Sequence, residues 1–359
     1  MNNLKLGLAA VLLCCPATIA RAADTPLDGK PLTVEGKIEG KDAAISTDVS
    51  GIACQPAKGG AARKCYLVDD EVRYAHAVTL TADTLAASGA KVTLVPEPAG
   101  QGALGVALDR QGTRCSGEPD KPKQFDGEAV TFDGKFYYVV GSHGCSRKSK
   151  VFHLSSYTIA RFPADAEDGE MATLSFRLAE VLRQTPGTEV AYGKDLNGTS
   201  GGMNIEGMVA LGRDLVFGLR APVVDGRAGA TLLRVRAAPL FAPGDAPYAG
   251  PPAETFVLDL GEGAGIRDLA PLGKDRFLVL SGPAADSDAS VPFALWSYKP
   301  GDPHGPRHLA ELKSVPGEDN EPGKAEAVWL LSRHGKKLDI VVLFDNVQNG
   351  GPRLYTVDD

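Results

Sequence analysis

The sequence predicts an all-β fold, a β-propeller of about five hairpin-based blades. Three observations carry this: a hairpin unit that recurs, copies at similar spacing, and no Ser/Gly-rich or charged linker to divide the chain. Each copy opens on a polar residue, runs through a short apolar strand, turns, and returns as a more apolar strand to a polar tip. The most divergent copy opens at Ser50-Gly51 and returns over residues 66–68 to Asp69-Asp70-Glu71. In the second, Glu128 opens residues 128–132, Asp133-Gly134 turns, and residues 135–140 lead to Gly141-Ser142-His143-Gly144. An Asp-Gly pair between two such runs is a strong hairpin signal. The third runs from Glu206 through Gly212-Arg213-Asp214 to Arg220, and the fourth from Asp268 through Gly273-Lys274-Asp275 to Ser281. The fifth opens at Glu326, turns near Gly335-Lys336 and ends at Asp345-Asn346.

The opening positions 50, 128, 206, 268 and 326 lie 78, 78, 62 and 58 residues apart, enough for a four-stranded blade each. Six blades stay open, because a 78-residue interval has room for a degenerate copy. A β-sandwich with coincidental hairpins is the competing fold. Residues 32–38 before the first copy are expected to pair with the C-terminal strand around residues 354–357, which would close the ring. Leu178, Val181 and Leu182 are spaced as one face of a short helical insertion near 175–184, placed either over one end of the disc or on its rim.

The first 22 residues read as a signal peptide: Lys5, an apolar run of about ten residues, then Ala20-Arg21-Ala22 before the cleavage point. The run falls short of the roughly 20 residues that cross a bilayer. Residues 23–359 are therefore read as one exported domain, in the periplasm or outside the cell, with no membrane span. An even set of cysteines, Cys54, Cys65, Cys115 and Cys145, suits an oxidising compartment. Cys54 and Cys65 flank Gly59-Gly60, so a hairpin would join them and leave Cys115 for Cys145. Zinc is disfavoured, since no CxxC pair or clustered histidine is present. A net charge of −7 without a basic run argues against nucleic acid.

The segment Asn204-Ile205-Glu206-Gly207-Met208-Val209-Ala210-Leu211 after Gly201-Gly202 resembles the DUF3616 family of exported proteins. Ser50-Gly51-Ile52, and Phe125-Asp126-Gly127-Glu128-Ala129 with Gly141-Ser142-His143, fit the same family over nearly all of the mature chain. More distantly, the Ser-Gly and Glu-Gly openings are similar to those of esterase-like phytase propellers. The family resemblance implies a propeller-like fold and brings no activity with it.

Function is then read from geometry. In an antiparallel hairpin the start of the first strand and the end of the second lie at one end. Ser50, Asp69, Glu128, Asp268, Ser281, Glu326 and Asp345 are thereby expected around an acid-rich axial pocket that holds a small-molecule or protein ligand, as in a binding or scaffold protein. The alternative is a Ca²⁺-dependent hydrolase of phosphate or carboxylate esters. Glu128, Glu206, Asp268 and Glu326 would hold the ion, with His143, Glu206 and Arg220 as catalytic groups. Crowded, buried carboxylates should have raised pKa values unless a cation or Arg220 compensates. Gly201, Gly202 and Gly207 are expected to let a ligand approach Glu206 closely.

Overall fold

The computed structural model describes residues 25–57, 62–97, 101–106, 108, 113, 115, 125–196, 201–223, 229–285 and 290–359. The proposed leader lies outside the described residues. Alternating apolar runs broken by glycine and aspartate turns become strands, which among the described residues form five sheets, antiparallel but for one edge strand. The chain enters with β1 (Lys30–Pro31) and β2 (Thr33–Glu35). Blade 1 then lays down β3 (Val49–Cys54), β4 (Arg63–Asp69), β5 (Tyr74–Leu80) and β6 (Thr84–Thr93). Blade 2 holds β7 (Gly127–Phe132), β8 (Phe136–Gly141), β9 (Ile159–Pro163) and β10 (Thr173–Ser175). Blade 3 comprises β11 (Asn204–Leu211), β12 (Asp214–Ala221), β13 (Gly229–Arg236) and β14 (Glu254–Asp259). In blade 4 come β15 (Ala264–Pro271), β16 (Phe277–Pro283), β17 (Ala294–Tyr298) and β18 (Arg307–Glu311). Blade 5 has β19 (Val315–Pro316), β20 (Pro322–His334), β21 (Lys337–Asp345) and β22 (Arg353–Asp358).

The strands β3, β7, β11, β15 and β20 each pack against the next, and β20 returns to β3, so the inner strands close a ring. The expected five-bladed propeller is the observed fold. Apolar side chains fill the spaces between blades; Tyr66, for example, meets Tyr137 and Phe162 of blade 2 edge-on, each at 4.8 Å between ring centres. Both expected disulfides form, Cys54 to Cys65 across the β3–β4 ladder and Cys115 to Cys145.

Closure differs from the expectation in detail. Lys30 and Pro31 pair with Leu354 and Arg353, whereas Thr33–Glu35 turns away to run parallel to β6 in blade 1. The N-terminal segment thus ties blade 5 to blade 1 rather than completing one blade alone. The helical insertion is α1 (Arg177–Gln184), with Leu178, Ala179, Val181 and Leu182 buried against blades 2 and 3. Its Arg177 is buried and donates to the carbonyls of Leu240, Ala242, Gly244 and Ala246, which pins the segment after β13. Among the described residues no helix is long and apolar enough to cross a membrane.

Candidate functional site

Every inner strand carries a β-bulge in the part of the strand before its turn, toward the axial end. The pairing slips between Val49 and Gly51, Gly127 and Ala129, Ile205 and Gly207, Ile266 and Asp268, and Ala325 and Ala327. The residues set free are Ser50, Glu128, Glu206, Arg267 and Glu326. A bulge re-aims a side chain and tightens the local twist, so the five form one equivalent set at the axial end. The fourth member corrects the sequence reading, which put Asp268 in this position. Asp268 stands one residue later, where the other blades have Gly51, Ala129, Gly207 and Ala327. That position faces the next blade: a Cβ on Gly207 would lie 2.9 Å from the Ile266 and Leu269 side chains. Gly207 therefore serves blade packing, and the expected open approach to Glu206 is filled by blade 4. Asp268 fits the same position by bonding across the blade gap. Its carboxylate accepts from the Leu269 and Val328 amides at 2.7 and 2.8 Å.

Across blades 3 to 5 the bulge residues form a buried ionic plug. Glu206 Oε1 accepts from Arg220 Nη1 at 2.8 Å and from Asn204 Nδ2 at 2.7 Å, while Oε2 lies 3.0 Å from Arg267 Nη1. Arg267 Nη2 donates to Glu326 Oε1. The Arg267 guanidinium also lies over the Phe293 ring, 5.7 Å from its centre, and Arg220 Nε donates to the Ala284 carbonyl at 3.1 Å. Arg267 is 1% and Glu206 4% exposed, so the plug is closed to solvent. Burial alone would raise Glu206, but Arg220 and Arg267 outweigh it and hold its carboxyl below the usual range. Glu326 is pushed up to about 8 by burial, against the pull of Arg267 and with help from the Glu206 charge.

The other side of the axial end, over blades 1 and 2, has a different composition. Backbone bonds run along it from blade to blade: Asp70 N–H to Asp48 O, Asp126 N–H to Asp70 O, Ser142 N–H to Asp126 O and Ile205 N–H to Ser142 O. This rail gathers Asp48, Asp69, Asp70, Asp126 and Glu128. Burial raises Asp48 and, with the mutual repulsion of Asp126, Asp69 and Asp48, lifts Asp70 well above its ordinary value. Glu128 is likewise lifted well above its range, by desolvation and then by Asp126, Glu206 and Asp70. Asp126 is raised by burial although Ser142 and Ser156 donate to it, and Asp69 is pushed up to about 7 by burial despite bonds from Ser46 Oγ at 2.5 Å and the Glu71 amide at 2.8 Å. Arg147 supplies a positive field that lowers Asp126 and Glu128 without cancelling the rise.

The remaining expected residues fall as follows. Ser50 is buried and donates to the Asp48 carbonyl at 3.3 Å, and Asp345 pairs with Lys324 at 3.2 Å at the edge of the acidic arc. His143 is fully buried in a positive-φ turn; its Nδ1 lies 2.8 Å from the Gly141 carbonyl, and burial pulls its pKa down to about 4. The imidazole is therefore neutral and enclosed, and its ring lies against Tyr157, 5.8 Å between centres. Ser281 points away from the axis and receives the Trp296 indole N–H at 2.8 Å. Among the described residues no three His, Cys, Asp or Glu side chains are grouped as a metal's ligands. The sequence reading missed Arg267 and Asp126, and of the tip Asp69-Asp70-Glu71 it placed only Asp69 in the pocket. Counting back from the turn glycines would have exposed Arg267, because Glu128 stands six residues before Gly134, Glu206 six before Gly212, and Arg267 six before Gly273.

The fold and this end define a class: a five-bladed β-propeller whose inner-strand bulges project charged side chains onto the axis. The chain belongs to the DUF3616 family, described as a protein of unknown function, whose model matches residues 166–353. No curated protein matches the chain. Among solved structures, a putative glycoside hydrolase from Bacteroides ovatus is 8% identical with a TM-score of 0.40, over 92% of this chain and 93% of that one. The xyloglucanase from Xanthomonas campestris is 14% identical with a TM-score of 0.38, over 88% of this chain. This chain spans 45% of that protein's length. An α-L-arabinofuranosidase from Podospora anserina, solved with cellotriose, is 9% identical with a TM-score of 0.37, over 93% of this chain and 97% of that one. Likeness at this level carries no activity over to the chain.

Proposed function

We propose that the protein is an exported binding module, working in the periplasm or outside the cell, whose acidic arc receives a positively charged group of its ligand. The observation that carries this reading is the charge asymmetry of the axial end. Glu206 and Glu326 share Arg220 and Arg267, whereas Glu128, at the equivalent bulge, faces Asp126 and Asp70. Carboxyls held protonated by crowding and desolvation ionise when a cation arrives, so binding is coupled to proton release. An ammonium or guanidinium group suits such an arc better than a bare metal ion, because it needs fewer oxygens placed around it.

The test is isothermal titration with arginine amide and, separately, with Ca²⁺, in buffers of different ionisation enthalpy. Arginine amide binding should release protons and tighten as pH rises through neutrality, and Glu128→Gln should weaken it about tenfold. Binding that ignores Glu128→Gln, or an absence of binding by both cations, would overturn the reading.

A further inference from the structure

A second concavity lies on the same end of the disc, out across blade 4, with a volume of about 490 Å³. Its walls come from the β14–β15 connection at Glu262, the end of β16 at Ser281, Trp296 of β17, and His308 and Glu311 of β18. The strand register builds it. Trp296 pairs with His308, and Ala294 with Glu311, so these side chains are set by the β17–β18 ladder. The His308 ring stands edge-on to Trp296 at 4.8 Å and 78°. The indole N–H is taken up by Ser281, whose own hydroxyl lies 3.4 Å from the Ala294 carbonyl. The polar edge of Trp296 is thus satisfied within the protein, and what the residue offers a ligand is aromatic surface. Cavities of this size are ordinary small-molecule sites.

The lining is rich in acceptors and one-sided in charge. Glu262 and Glu311 both border it, and among the described residues that line it there is no lysine or arginine. Arg267, the buried cation of the same blade, is turned to Glu206 and Glu326 on the axis. A neutral polyol would accept the hydrogen-bonding pattern but leave two carboxylate charges uncompensated. A cation answers both the charge and the aromatic wall, since ammonium groups are attracted to the face of an indole. We propose that this cleft is a binding site for a small organic ammonium compound, with Trp296 as its aromatic wall and Glu262 and Glu311 as its counter-ions. It is separate from the axial arc and does not depend on the reading of that arc.

The chain has two tryptophans, Trp296 and the buried Trp329. In a Trp329→Phe background the emission therefore reports on the cleft alone. Tetramethylammonium chloride and 1,4-diaminobutane are titrated at constant ionic strength against sodium chloride and maltose, and calorimetry on the unsubstituted chain repeats the measurement without any tryptophan change. The proposal expects a saturable Trp296 emission response to the ammonium probes, weakened about tenfold by Glu311→Gln and by the exposed Glu262→Gln, and unchanged in Glu128→Gln, whose effect on heat belongs to the axial arc. Saturation by maltose, an effect reproduced by sodium chloride, or neither heat nor emission change with the ammonium probes would overturn it. Loss of the response in Glu128→Gln would move the ammonium site to the axis and overturn it as well.

Discussion

The two sides of the axial end are built by the same backbone device and differ in what stands on it. In blades 3 to 5 the bulges at Glu206, Arg267 and Glu326 place opposite charges in contact, with Arg220 completing the group. In blades 1 and 2 they present Ser50 and Glu128 to a rail of aspartates. The first arrangement sets arginines against its glutamates and is sealed from solvent. The second leaves carboxyls crowded, desolvated and shifted upward. A repeat fold thus keeps geometry constant while single residue choices separate a structural plug from an acidic surface, and the difference lies in charge rather than in shape.

The largest expected effect breaks the plug. Arg267→Met strips Glu206 and Glu326 of a shared partner, and removing one member of a buried ionic group costs about 3–5 kcal/mol. Urea unfolding should show a loss of that size, and Arg267→Met combined with Glu326→Gln, which leaves Glu206 paired with Arg220, should recover part of it. A smaller loss is expected at the blade 4–5 seam. Asp268→Asn keeps one side-chain oxygen as an acceptor, so one of the Leu269 and Val328 amides is left buried and unsatisfied, at about 1–3 kcal/mol. Were the arginine variant no worse than the aspartate one, the plug would not be the anchor described above.

The acidic arc is expected to appear in the pH dependence of stability. Asp69 is raised from 3.8 to about 7, so between those values the folded state binds the proton that the unfolded state has released. Its contribution is fully present below pH 3.8 and is lost as pH rises through about 7. His143, lowered from 6.5 to about 4, acts with the opposite sign: its contribution is present above pH 6.5 and lost as pH falls through about 4. The difference between wild type and Asp69→Asn isolates the first. The stability gap should shift in favour of Asp69→Asn as pH rises from about 4 to about 7, and a gap that does not change with pH would show that Asp69 does not titrate in the folded range.

Much of the fold was legible because propeller hairpins repeat local signals: Asp133-Gly134, Gly212 and Gly273 mark turns between apolar runs wherever they occur. The Cys54–Cys65 disulfide followed from the same hairpin logic, and Cys115–Cys145 was the pair left over. The site was legible only in part. A bulge adds one residue to a strand without changing its apolar pattern, so the register of blade 4 was read one position late and Arg267 was passed over for Asp268. Asp70 and Asp126 were left out of the pocket for a different reason. They stand outside the hairpin ladders and meet through backbone bonds between blades, which no spacing within one repeat encodes. The charge excess of the chain was visible, but not which carboxylates would find an arginine.

Equivalent glutamates in blades 2 and 3 have opposite environments. Thermal melts of Glu128→Gln and Glu206→Gln, side by side with wild type at pH 8.5 and low salt without added cation, test this most directly. Glu206→Gln should lower the melting temperature, because Arg220 and Arg267 lose the charge that compensates them. Glu128→Gln should raise it, because a carboxyl that resists ionisation in the folded state is replaced by a neutral group. Shifts of the same sign in both variants would contradict the division of the axial end into a plug and a receptive arc.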